Sequence, residues 1–86
     1  MINNRAGIHL RSAMEIGKLA SRFQAQVSLI HSKTQVRANP SDLLQTVSLV
    51  AERGDELVVE ASGPDAQEAV DVLVDFIANH LHEYDN

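Results

Sequence analysis

The chain has no cysteine and no tryptophan, and only two phenylalanines and one tyrosine among its 86 residues. Without cysteine there is no disulfide scaffold, no thiolate zinc site and no thiol nucleophile. Positive charge is also scarce. Seven lysines and arginines stand against twelve aspartates and glutamates, a net charge of -5. A chain of that balance lacks the basic footprint that binds a phosphate backbone, so nucleic acid is not an expected partner. No apolar run approaches the roughly 18–20 residues that cross a bilayer, and membrane insertion is not expected. No charged-then-apolar leader is in view, which makes the cytoplasm the expected location.

Hydrophobic residues make up 44% of the chain and charged residues 22%. That is the composition of one globular domain, expected over residues 1–86. Ordering a chain costs about 1.5 kcal/mol per residue, close to what a core of this size returns. Little is left to bury a deep polar cleft. Chemistry on such a chain belongs at a shallow surface site, with the second reactant brought by another protein.

The apolar pattern switches between helical and strand periods. Ala13, Ile16, Leu19, Ala20 and Phe23 recur at three- and four-residue spacing, a helix from about Leu10 to Arg22 with Gly17 inside it. Gln26 to Ser32 reads as a strand with Val27 and Leu29 inward. A second short strand, Thr34 to Ala38, follows a turn at Ser32-Lys33. Asn39-Pro40-Ser41-Asp42 opens a helix, with the proline in its first turn and either Asn39 or Asp42 as cap. Asp42 and Gln45 have capping-box spacing. Leu43, Leu44, Val47, Val50 and Ala51 give that helix a wide apolar face, and Gly54 ends it. Glu56 to Ser62 is the strongest strand, with Leu57, Val59 and Ala61 inward. After a turn at Gly63-Pro64-Asp65, the stripe Ala66, Ala69, Val70, Leu73, Phe76, Ile77 and Leu81 marks the last helix. The polar tail, His82 to Asn86, is expected to fray. This order of elements folds as a two-layer α+β sandwich.

The four histidines differ in setting. His80 and His82 are two apart on a helix, point to different sides and cannot share a metal; no metal site is expected. They read as solvated helix-end residues, and His31 as a surface or edge residue of its strand. His9 lies where the first helix begins, after Gly7-Ile8 and two residues before Arg11. A helix start offers unpaired N–H groups and a partial positive charge, a cradle for a phosphoryl group held on the imidazole. Arg11 can clamp phosphoryl oxygens, and Gly7 lets the backbone turn close to the ring. Spacing leaves open the plainer alternative, a first-turn surface histidine beside a solvated arginine.

The string Ala6-Gly7-Ile8-His9-Leu10-Arg11-Ser12-Ala13 resembles the active-site motif of the HPr family, the histidine-containing phosphocarriers of the bacterial phosphotransferase system, usually Gly-Leu-His-Ala-Arg-Pro-Ala. Phe23 ends the first helix where the family has phenylalanine. Asp42 to Leu49 resembles the segment around the family's regulatory serine and second helix, and Gly54 to Ala66 its final strand and Gly-x-Asp-Ala turn. The resemblance spans nearly the whole chain. It implies an open-faced β-sandwich: a four-stranded antiparallel sheet, its first strand short or truncated, covered on one face by three helices.

It also implies a function. His9 accepts a phosphoryl group on Nδ1 from Enzyme I and passes it to a IIA protein or domain, with Arg11 beside it. The backbone of Ser12 and Ala13 binds the phosphoryl group, and no cofactor is implied. Ile8, Leu10, Leu43, Leu44 and Val47 form the partner interface, with Leu43 the expected exposed member. Ser12 departs from the family's proline but keeps an N–H in the first turn. Asp42 stands where the regulatory serine would be, with Ser41 beside it; a helix cap is the plainer role, and no kinase regulation is expected at position 42. Two readings from different classes follow. One is a phosphocarrier. The other is a docking or regulatory module of the same fold that binds partner proteins without sustained transfer. A small ligand-binding domain has no Gly-rich loop or polar cluster to support it.

Overall fold

The computed structural model describes residues 1–85. The chain runs α1 (Leu10–Ala20), β1 (Gln26–His31), β2 (Arg37–Ala38), α2 (Leu43–Ser48), β3 (Leu57–Ser62) and α3 (Ala66–Asn79), then a 3₁₀ turn over Leu81–Tyr84. The sheet has the order β2-β1-β3, and both pairings are antiparallel. The architecture is the expected α+β open-faced sandwich. On the covered face Val27 and Leu29 of β1 meet Leu57, Val59 and Ala61 of β3. Above them lie Ala13, Ile16 and Ala20 of α1 and Ala69, Leu73, Phe76 and Ile77 of α3. On the open face the register sets Ile30 between Arg37 and Val58, where Ile30 is buried. Among the described residues no helix is long and apolar enough to cross a membrane.

Several boundaries differ from the sequence reading. The sheet has three strands, not four. Where a first strand would lie, Ile2 bonds to the turn before β3: its N–H donates to Asp55 O at 2.9 Å and its carbonyl accepts from Gly54 N–H at 2.8 Å. The chain then turns through Asn3-Asn4-Arg5-Ala6, where Asn4 Nδ2 donates to Gly7 O at 2.8 Å. Asparagine favours turns over ladders because its amide bonds the local backbone. The β1–β2 connection is a longer loop, with Gln35 at φ 62, so β2 shrinks to two residues. Helix α2 stops at Ser48, well before Gly54, which sits instead in the turn before β3 at φ +92. Pro40 is a buried loop residue ahead of α2. Its carbonyl lies 3.0 Å from where a Cβ on Gly17 would sit. The glycine inside α1 thus lets this loop pack against the helix.

Two carboxylates tie loops to the sheet. Asp65 accepts from Gln24 N–H at 2.9 Å and Ala25 N–H at 2.8 Å, joining the α1–β1 loop to the start of α3. Those bonds, the Gln24 one above all, hold its carboxyl below the usual carboxylate range. His31 is not a surface residue. It is 4% exposed and lies 3.0 Å from Asp55 Oδ2. Its Nδ1 accepts from Lys33 N–H, so Nε2 carries the proton donated to Asp55. Asp55 also accepts from Glu52 N–H, and that bond, then His31, lowers its carboxyl.

The described part of the tail is anchored rather than frayed. Leu81 is 1% exposed, and Tyr84 packs on Phe76 with ring centroids 5.7 Å apart. His80 is not simply solvated either. It lies between Asp75 and Glu83 at 3.2 and 2.8 Å, and the Glu83 bond, then Asp75, raises its pKa above the ordinary histidine value.

Val50, just past α2, has φ 50. The left-handed region crowds any Cβ and is worst for a β-branched one, and the Val50 side chain is exposed, so packing does not offset the strain. Val50→Gly is expected to stabilise the fold by about 1 kcal/mol, the relieved strain less the entropy glycine adds to the unfolded chain. Urea unfolding checks this, and a lower midpoint for the variant would contradict it.

Candidate functional site

His9 is itself the N-cap of α1. Its backbone is extended, at φ -130 and ψ -173, and its Nδ1 accepts from Arg11 N–H at 3.3 Å. Caps are normally Ser, Thr, Asp or Asn, so an imidazole in this place is an unusual choice. A second clasp reinforces it. His9 N–H donates to Ser12 Oγ at 3.0 Å, and that hydroxyl lies 3.1 Å from His9 O. Ser12 is fully buried. An Nδ1 that accepts from an N–H is unprotonated, which puts the proton of the neutral ring on Nε2. The free lone pair therefore faces the helix start.

Three N–H groups at a helix start have no partner one turn back, here those of Leu10, Arg11 and Ser12. Ala13 N–H is not among them. It makes the first helical bond, to His9 O at 2.8 Å. Of the two residues read as a phosphoryl-binding backbone, Ser12 turns its N–H to the His9 side chain in the capping box, whereas the N–H of Ala13 is spent inside the helix. The Arg11 side chain is exposed, and among the described residues its guanidinium pairs with no carboxylate. It is close enough to the Tyr84 hydroxyl to counter part of the upward push that burial and Glu15 exert on it.

The loop before His9 is held to the turn after α2. Gly7 has φ +64, and a Cβ there would lie 2.3 Å from Ala51 O. Ile8 N–H donates to that same carbonyl at 2.9 Å. Ile8 is 8% exposed and belongs to the core, not to the outer surface as expected. Leu43 is half-buried against the core, whereas Leu44 is 78% exposed. The reason is that α2 is only six residues long and rests on the fold through Thr46, its one fully buried residue. Leu44 and Val47 thus face outward. Leu10 and Met14 on the opening turns of α1, and Val50 just past α2, are exposed large apolar side chains as well. Met14 and Val50 were not anticipated as part of this surface; Val50 carried a signal only as a member of the apolar face read for the second helix.

Ser41 is exposed and its N–H donates to Asn39 Oδ1; Asp42 accepts from Gln45 N–H as the cap of α2. Gln45 reaches back to Asn39 N–H rather than to its own cap. Asn4 and Asp85, beside the His9 ring, are further residues that sequence reasoning missed. Asn4 Nδ2 donates to Asp85 Oδ1 at 2.7 Å, and that oxygen lies 3.8 Å from His9 Nε2. Neither residue stands in a motif, and they are 81 positions apart. Among the described residues no group of three His, Asp or Glu side chains is placed to hold a metal.

Residues 1–79 match the family described as "PTS HPr component phosphorylation site". The chain is 35% identical over 82 residues to the phosphocarrier protein HPr of Cupriavidus necator, covering 95% of this chain and 90% of that one. It is 36% identical over 73 residues to the phosphocarrier protein NPr of Proteus mirabilis, covering 85% and 80%. The crystal structure of an HPr from Thermoanaerobacter tengcongensis superposes with a TM-score of 0.80 at 32% identity, over 88% of this chain and 83% of that one.

Gly7 is the residue on which the placement of His9 leans most. Gly7→Ala combines an unfavourable φ with a clash against Ala51 O, and should destabilise the protein by about 2–4 kcal/mol. The check is the urea midpoint together with the backbone amide signals of Ile8 and His9. An alanine variant of native stability would refute this account of the loop.

Proposed function

The chain belongs to the HPr family of phosphocarrier proteins, and from that premise we propose that His9 carries a phosphoryl group between two proteins. Enzyme I is the donor and a IIA protein or domain the acceptor. The observation that carries the reading is the Nδ1 lone pair of His9 set against the N–H groups that open α1, 3.3 Å from Arg11 N. In the transfer, Nδ1 forms a bond to phosphorus while the bond between phosphorus and the donor breaks and its electron pair leaves with the donor. The phosphoryl oxygens then take the place Nδ1 held as the cap. The N–H groups of Arg11 and Ser12 receive them, with the partial positive charge of the helix start behind. The Arg11 guanidinium, uncommitted and exposed, can fold over them.

The exposed residues Leu10, Leu44 and Val47, with Met14 and Val50, form the docking surface around this site. Ile8 and Leu43 support it from below rather than touching the partner. Ser41 presents its hydroxyl at the edge of this surface. Asp42 is a cap and offers no hydroxyl to a serine kinase. The protein works in the cytoplasm and needs no cofactor of its own.

Phosphoenolpyruvate and Enzyme I should add one acid-labile phosphoryl group to the chain, read by intact-mass spectrometry. His9→Ala should remove the gain, and Arg11→Ala should slow it about tenfold or more. Partner binding without any gain in mass would reject the carrier reading in favour of a docking module.

Leu44→Asp should leave the unfolding midpoint nearly unchanged, since the side chain is already in water. It should weaken binding to Enzyme I about tenfold, as measured by calorimetry. Unaltered affinity would remove α2 from the interface.

A further inference from the structure

The phosphocarrier reading uses Nδ1 of His9 and leaves Nε2 without a task. That nitrogen is buried and has no hydrogen-bond partner among the described residues. The carboxylate that faces it is that of Asp85, whose Oδ1 lies 3.8 Å away. Asp85 does not belong to the stretch the family description covers, which ends at residue 79. It is delivered by the tail. Leu81 is sunk in the core and Tyr84 packs on Phe76, so Asp85 is brought back over the start of α1.

Asn4 fixes the carboxylate there. Its amide has two hydrogens, and both are committed: one to Gly7 O at 2.8 Å, the other to Asp85 Oδ1 at 2.7 Å. One side chain thus holds the loop that carries His9 and the carboxylate that faces its ring. Asn4 is itself 6% exposed. A buried amide with both hydrogens used makes a stiff bracket, because releasing either bond strands a donor.

We propose that Asp85 is a positioning residue for His9, an inference that rests on the phosphocarrier reading and deepens it. A small turn of the imidazole closes the gap and lets Nε2–H donate to the carboxylate. The proton then stays on Nε2 throughout the transfer. When Nδ1 bonds to phosphorus and the donor departs with the electron pair of the broken bond, the ring becomes cationic. The Asp85 carboxylate lies on the side of the ring opposite the phosphoryl group. It stabilises the new charge without standing against the phosphoryl oxygens. On the return step the ring gives up phosphorus, takes back the electron pair on Nδ1, and is still protonated on Nε2.

Two measurements on the full chain test this. In ¹H–¹⁵N spectra of the ring, the wild type should show a protected Nε2–H signal that Asp85→Ala loses to exchange with water. In stopped-flow transfer from Enzyme I, at a temperature where the variant is fully folded, Asp85→Ala should accept the phosphoryl group about tenfold more slowly. Asp85→Asn, which keeps an acceptor but not the charge, should fall between. Asn4→Ala should reproduce the loss of the signal, because it frees the carboxylate. An unchanged Nε2–H signal with wild-type transfer in Asp85→Ala would overturn the proposal. Faster transfer would overturn it too, and would make the tail a cover over the site. If the wild type takes no phosphoryl group at all, the carrier reading fails, while the ring spectra still decide whether Asp85 holds Nε2.

Discussion

Helix α1 begins on the side chain that the proposed chemistry has to take away. An N-cap satisfies a backbone N–H that would otherwise be left open, and here the cap is the Nδ1 lone pair of His9. The same lone pair is the nucleophile of the proposed transfer. In that proposed step, the N–H of Arg11 loses its acceptor and gains a phosphoryl oxygen in its place. The helix start passes from one acceptor to another without an unsatisfied interval. Ser12 makes this workable. Its hydroxyl takes His9 N–H at 3.0 Å, so the backbone of the cap remains pinned while the ring changes partners. A proline at this position would keep the turn rigid by fixing φ. Serine reaches a similar end with a hydrogen bond and retains its own N–H toward the ligand.

The placement of the cap follows from packing further away. Gly7 approaches the carbonyl of Ala51 closely enough to exclude any Cβ, and Ile8 donates to that carbonyl. The turn after α2 therefore sets the height of His9. The same turn holds Val50 in a strained conformation and presents its side chain to water. Backbone strain gathers at functional sites because the surrounding structure must over-determine it. Around His9 that surrounding structure is also the exposed apolar surface. A chain of 86 residues has too small a core to enclose a reaction, and it instead displays one nucleophile in a rim of leucine, methionine and valine. Enclosure becomes the partner's contribution.

Periodicity was enough to locate the long elements. The stripes of α1 and α3 and the alternation of β1 and β3 fall where the apolar spacing places them, because each buries a continuous face. The His9–Arg11 pair was legible for a different reason: it is local, and a helix start explains it without tertiary information. What the spacing could not supply was which side of a short element faces inward. Helix α2 has leucines at 43 and 44, and no period distinguishes them over six residues. Thr46, a polar residue, is the one that is fully buried. His31 was misjudged for a similar reason. A histidine in a strand looks like an edge residue unless the carboxylate that satisfies it is known, and Asp55 lies 24 positions away. The missing first strand is the converse case: resemblance implies a strand, but two asparagines after Ile2 favour a turn and take it.

Asn4 and Asp85 lie beyond the reach of any local pattern, and their separation has a physical consequence. A helix start alone assembles His9, Arg11 and Ser12, since all lie within one turn. The bracket on the other side of the ring forms only when the first few residues and the last few meet. Closing a loop of that length costs chain entropy, and the packing of Leu81 and Tyr84 against α3 is what offsets it. Half of the ring's environment is thus local and forms with α1, while the other half is an outcome of the completed fold. A partly opened chain would keep a nucleophilic Nδ1 on a capped helix yet lose the carboxylate facing Nε2. The site is then graded by folding: local structure exposes the lone pair, and only the closed domain places a negative charge behind it.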